Sequence, residues 1–278
     1  MDQFFTTTDH AKLHYLEEGS GDRAVILIHG WGCAAAYYRY QIEALKRDFH
    51  VYAIDLRGHG DSPTPGYGFR ISRLAKDIEE FIAHIGAQKV TLCGHSMGCS
   101  VIWSYVELFG QDRLDKLVLI DEDPVIIDFP SWTAEEKANY GGLFTSEATF
   151  ETTAALKGAD GDTVAAGLLG GLFTSEVDET LKSWALQHAL KASRKDTADL
   201  IFNHAMNDWS TVIPRITVPT LVFGGKLSAM DYRSMQWVGS VIPNAETCIL
   251  SENEHSSHFM FLENPQKFNR VLIDFLRK

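Results

Sequence analysis

A basic face is what this 278-residue chain lacks first: 25 Lys and Arg stand against 37 Asp and Glu, a formal net charge of −12. Binding to phosphates needs the opposite balance, so a nucleic-acid partner is excluded. No uninterrupted apolar stretch reaches the ~18 residues that span a bilayer. The opening MDQFFTTTDHAKLHYLEEG also has no basic segment followed by an apolar run, as a secretory signal would. A cytoplasmic address without a membrane partner is the expectation. Cysteine is sparse and unpatterned. Cys33, Cys93, Cys99 and Cys248 show no CxxC spacing, and three lie in apolar or small-residue runs, which suits reduced thiols better than a disulfide frame or a zinc site. Neither GxGxxG nor a Walker pattern occurs, so the common nucleotide cofactors are set aside, and neither cofactor nor metal is expected. What the chain does have is 45% hydrophobic and 11% aromatic residues, enough for a large ordered core.

Short β-branched or apolar runs alternate with longer segments of helical period. The runs are AVILIH (24–29), HVYAID (50–55), KVTLCG (89–94), KLVLID (116–121), TLVFGG (220–225) and ETCIL (246–250). Between them, residues 37–46, 71–85, 97–109, 234–241 and 265–276 space apolar side chains three and four apart. Ile71, Leu74, Ala75, Ile78, Phe81 and Ile82 show this most clearly. Buried strands alternating with helices imply an α/β fold with a mostly parallel sheet covered on both faces. Residues 4–7 and 12–18 read as an antiparallel hairpin at one edge.

From 121 to 220 the strand signal stops for about 95 residues, too long for a connecting loop. Residues 133–140, 147–156, 179–191 and 197–207 read as helices with Gly-rich joints such as KGADGD (157–162); glycines 158, 161, 167, 170 and 171 would suit a mobile cap. The chain therefore divides into a core of residues 1–124 and 214–278 and a helical cap insertion of 125–213. GGLFTSE occurs twice, at 141–147 and 170–176, each copy placing Ser or Thr before Glu as a helix start would.

The strongest chemical signal is Gly94-His95-Ser96-Met97-Gly98, between a strand and a helix. A GxSxG in that setting is a tight turn that projects the Ser hydroxyl, so Ser96 is the candidate nucleophile. At the end of the first buried strand, Ile28-His29-Gly30-Trp31-Gly32 turns backbone amides toward it. The amides of Trp31 and Met97 are the candidate oxyanion donors. The hydroxyl needs a base on a late loop, and His258 lies just before the last helix, with His255 as its competitor. A metal site from His255, His258, Glu252 and Glu254 would consume that base and has no known spacing.

Taken together, HGWG (29–32), DLRGHGDS (55–62), GHSMG (94–98), VPTLVFGG (218–225) and HFMFLENPQKF (258–268) resemble the α/β-hydrolase superfamily over essentially the whole chain. The resemblance implies an eight-stranded sheet, a nucleophile–acid–histidine triad and a cap. It also implies that Asp55 and Arg57 are structural. His258 stands five residues before Glu263 as in the family's late motif, with Ser257 where Gly is usual. The family's acid usually sits in a G-x-x-D turn after TLVFG, and Leu227 stands at that position. Some members place it after the preceding strand, which here ends in Ile120-Asp121-Glu122-Asp123-Pro124. Asp121 is the choice, with Asp123, Asp231 or a Ser–His pair lacking a carboxylate as alternatives. The expected activity is serine-dependent hydrolysis of a small apolar ester or lactone through an acyl-enzyme; Trp132, Phe144, Phe150, Phe173 and Trp184 would supply the apolar surface. A ligand receptor with little turnover, or carbon–carbon hydrolysis or peracid formation at the same serine, are the rival readings.

Overall fold

The computed structural model describes residues 2–278. Strands β1 (Asp2–Thr6) and β2 (Lys12–Glu18) form the expected antiparallel hairpin. Strand and helix then alternate through β3 (Ala24–Ile28), α1 (Arg39–Leu45), β4 (His50–Ile54), α2 (Ile71–His84), β5 (Val90–His95), α3 (Met97–Phe109) and β6 (Leu114–Ile120). Next come β7 (Val125–Ile127), α4 (Ala134–Tyr140), β8 (Gly141–Phe144), α5 (Ser146–Lys157), α6 (Gly161–Gly170), α7 (Glu179–Ala189) and α8 (Arg194–Ala205). The alternation resumes with β9 (Thr220–Gly225), α9 (Tyr232–Val241), β10 (Ala245–Leu250), α10 (Met260–Glu263) and α11 (Pro265–Arg277).

Eight strands make one sheet in the order β1-β2-β4-β3-β5-β6-β9-β10, parallel from β4 onward. Every residue of β3 and β5 is buried, which is why these strands read as continuous apolar runs. Helix α2 buries Ile71, Leu74, Ala75, Ile78, Phe81 and Ile82, the face its periodicity marks. Helix α3 is buried on all sides along residues 97–106, so Ser96 opens a helix fixed at the centre of the molecule. Among the described residues no helix is long and apolar enough to cross a membrane.

DLRGHGDS follows the end of β4 and forms a largely buried polar turn. Asp55 accepts from the amides of Ala35 and Asp61 and pairs with His14, while the wholly buried Arg57 forks onto Asp77 at 2.7 and 2.6 Å and reaches Asp9. Arg57→Met would leave the Asp77 carboxylate to Arg73 alone, 2.8 Å away. A loss of about 3 kcal/mol in urea unfolding is expected, since removing one partner strands a buried charge.

The stretch between β6 and β9 differs from expectation in three ways. It is not purely helical: β7 and β8 pair in parallel as a separate two-stranded sheet, with runs too short to show a period in the sequence. The glycines are only partly joints: Gly158 and Gly171 end α5 and α6 and residues 158–160 connect the two helices, but Gly161, Gly167 and Gly170 lie within α6, where burial of Ala165 and Leu169 overrides a propensity penalty of roughly 1 kcal/mol per glycine. The two copies of GGLFTSE also fold differently. In the first, residues 141–144 form β8 and Thr145 caps α5 by accepting from the Ala148 amide. In the second, Gly170 ends α6, and Thr174 donates through its amide to Glu263, so no helix starts there.

Candidate active site

The chain leaves β5 at His95 and enters α3 at Met97, with Ser96 between them at φ 52° and ψ −129°. This conformation is rare for a residue with a side chain and stores on the order of 1–3 kcal/mol. Its neighbours show how it is enforced. A Cβ at Gly94 would lie 2.6 Å from the Gly98 carbonyl carbon, and one at Gly98 would lie 2.3 Å from the Ile28 oxygen, so only glycines let strand, turn and helix close this tightly. The loop after β3 passes beside the nucleophile, since a Cβ on Gly30 would sit 3.2 Å from Ser96 Oγ. Trp31 follows, its indole N–H donating to the Thr197 carbonyl of α8 at 2.7 Å. Met97 is the first residue of α3, where an amide has no intrahelical acceptor.

His258 lies between β10 and α10. Its carbonyl accepts from His95 Nε2 at 2.9 Å, and its Nδ1 lies 2.7 Å from Asp121 Oδ2, with both side chains buried. Asp121 leaves β6 at φ 55°, a turn that Asp tolerates better than most residues, and its amide is tied to the Phe223 carbonyl at 3.0 Å. Burial pushes the Asp121 carboxyl upward, against the hydrogen bonds from His258 and Ser228.

The alternative carboxylates are occupied elsewhere. Asp123 accepts from Ser234 Oγ at 2.6 Å and packs against Gly141, and burial holds its carboxyl well above the usual carboxylate range. Asp231 caps α9 and pairs with Arg233. His255 sits on the surface in a left-handed turn, and Glu254 closes a capping box with Ser251 and pairs with Lys267. The G-x-x-D turn can be counted from either of two glycines. Leu227 faces solvent, while Ser228, one residue later, donates its hydroxyl to Asp121 Oδ2. Tandem Gly224 and Gly225 leave the count ambiguous in sequence, and starting from Gly225 places Ser228 at the family's usual acid position.

A model of the alpha/beta hydrolase fold matches residues 23–265. The chain belongs to this family. The AB hydrolase superfamily protein YisY of Bacillus subtilis (strain 168) is 27% identical over 279 residues, covering 99% of each chain. The soluble epoxide hydrolase of Corynebacterium sp. (strain C12) is 38% identical over 116 residues, 42% of this chain and 40% of that protein. Among solved structures, the esterase EaEST from Exiguobacterium antarcticum superposes with a TM-score of 0.90 at 26% identity over 100% of both chains.

In this alpha/beta hydrolase, Ser96 and His258 open onto a cavity of about 80 Å³. Of the aromatic residues expected to line it, only Phe144 does so; Leu143, Leu168, Leu169, Leu172 and Ile201 form part of an apolar wall completed by Trp31, Ile126, Met230 and Phe259. Phe173 packs on Phe259, Trp184 on Tyr37, Phe150 on Phe202 and Trp132 on Tyr140. Sequence reasoning missed two polar residues in the wall, Glu122 and His204, whose side chains meet at 3.0 Å. The available signal was weak: His204 shares a buried face of α8 with Leu200 and Ile201.

Three other histidines near the site are buried. Burial pushes the imidazoles of His29, His59 and His95 down, that of His59 to about 3, with neighbouring imidazoles adding to the effect on His59 and His95. The unfolded chain binds protons as pH falls through about 6.5 while the folded chain resists them, so stability rises with pH in that window. Lowering pH from 7 to 5 is expected to destabilise the fold, by about 2 kcal/mol through His59 alone, with His29 and His95 acting in the same direction. A thermal melting temperature that stays flat between those values would contradict this.

Proposed function

We propose that this chain is a serine hydrolase that cleaves the carboxylic ester or lactone of a small apolar substrate through an acyl-enzyme. Ser96 attacks the carbonyl while His258 takes its proton and later delivers it to the leaving alcohol. Asp121 orients the imidazole through Nδ1 and stabilises its cation. The amides of Trp31 and Met97 receive the oxyanion, each such donor being worth roughly 10²–10³ in rate. Water then repeats the cycle on the acyl-enzyme and releases the acid. In the same reading the stretch between β6 and β9 acts as a cap, since α8 holds Trp31 and carries Ile201 and His204 into the cavity wall.

The observation that carries this reading is His258, paired with the buried Asp121 at 2.7 Å and opening with Ser96 onto one largely apolar cavity. Serine also separates this chain chemically from epoxide opening. Attack on an epoxide carbon by a hydroxyl would leave an ether that water does not cleave, whereas attack on a carbonyl leaves an ester that it does. A fluorophosphonate probe is expected to label one residue, Ser96, and nitrophenyl acetate to butyrate should turn over faster than long-chain esters, given the small cavity. Absence of label on Ser96 would overturn the proposal.

A further inference from the structure

The cavity that holds Ser96 and His258 contains a second carboxyl–imidazole pair that the proposed mechanism does not use. Glu122 follows Asp121 at the end of β6, and His204 comes from α8. Their side chains are nearly inaccessible and meet at 3.0 Å between Oε1 and Nε2. Ser100 Oγ approaches the same Oε1 at 3.5 Å, and the Glu122 amide lies 3.4 Å from the Met235 sulfur. Glu122 Oε2 and His204 Nδ1 have no hydrogen-bonding partner among the described residues. The other lining residues besides Ser96 and His258 are apolar, aromatic or thiol side chains.

An apolar cavity does not need a buried carboxyl, and leaving one of its oxygens without a donor is unfavourable. Both side chains line the same cavity as Ser96 and His258, so a molecule bound there would meet them. The pair's distance from the nucleophile suits a substrate: Ser100, which touches Glu122, follows Ser96 by one helical turn, a rise of about 6 Å. We propose that Glu122, positioned by His204, binds a hydrogen-bond donor on the substrate. The preferred substrate is then a small ester or lactone carrying a hydroxyl a few bonds from the scissile carbonyl. This rests on the serine-hydrolase reading and narrows its substrate class. A site built around a hydroxyl discriminates strongly against the analogue that lacks it, because binding that analogue leaves the polar group unpaired.

The test compares methyl butyrate with methyl 2-hydroxybutyrate, methyl 3-hydroxybutyrate and 2-hydroxyethyl butyrate, which place the hydroxyl on either side of the ester. The wild-type chain is expected to favour at least one hydroxylated ester by about tenfold or more in kcat/KM. Glu122→Met should remove that preference, and Glu122→Gln, which keeps the shape if the Met variant folds poorly, should reduce it. Equal or better turnover of methyl butyrate by the wild type, or an unchanged preference in a folded Glu122 variant, would overturn the inference. Binding of the same four esters to Ser96→Ala by calorimetry separates the two readings. If the wild type cleaves none of them, the serine-hydrolase reading fails. In that case tighter binding of a hydroxylated ester by about tenfold still supports the subsite, and equal or absent binding rejects it.

Discussion

Ser96→Ala is expected to abolish fluorophosphonate labelling and to lower ester turnover by about 10⁶ in kcat, the scale on which loss of a serine nucleophile acts when its partners work as a unit. A residual rate above that of water should survive, because the amides of Trp31 and Met97 and the apolar cavity do not depend on the hydroxyl. The backbone supplies a second readout. Ser96 is held at φ 52° whatever its side chain, so alanine inherits the strain, whereas glycine adopts such angles freely. Ser96→Gly should therefore be as inactive as Ser96→Ala yet more stable than it by about 1 kcal/mol in chemical unfolding. Substantial turnover by either variant would show that the reaction does not pass through this hydroxyl.

The second large effect is expected at the acid. Asp121→Asn preserves size and burial but changes which nitrogen of His258 carries its proton. The new amide N–H₂ would donate to Nδ1, leaving the proton on Nε2, where an unprotonated nitrogen is needed to accept from Ser96. A fall in kcat of about 10⁴ follows from that tautomer change, with the melting temperature little affected. Asp231→Asn should leave kcat near wild type, because Asp231 serves α9 and Arg233. Asp123→Asn should act on stability first, since Asp123 is packed on Gly141 and bonded to Ser234. A collapse of turnover in Asp231→Asn with a normal Asp121→Asn would reassign the acid.

Both predictions rest on residues that were legible in the sequence for different reasons. Ser96 and the sheet around it follow from local physics: a buried strand, two glycines that permit a tight turn, and a helix of ten buried residues. Asp121 comes from the family resemblance, in which some members place the acid after the strand that here ends at Ile120, with Asp123 and Asp231 left open as alternatives. The stretch between β6 and β9 was less legible because its conformation depends on what it packs against. GGLFTSE demonstrates this within one chain, since identical residues form a strand and helix cap at 141–147 but end a helix at 170–176. The cavity wall was hidden for a related reason. Leucines of α6 line it while most of the conspicuous aromatics pack elsewhere, and the meeting of Glu122 with His204 depends on two segments about 80 residues apart that no local period connects.

The hydroxyl of Ser228 on Asp121 has a consequence for descent. Counted from Gly225, Ser228 stands where the family resemblance expects the acid, and its hydroxyl touches the carboxylate that meets His258 Nδ1 at 2.7 Å. Adjacent strand ends, β6 and β9, thus offer two addresses for one negative charge beside the same imidazole. A lineage could pass between them one substitution at a time: an ancestor with a carboxylate at both sites stays competent while either is lost.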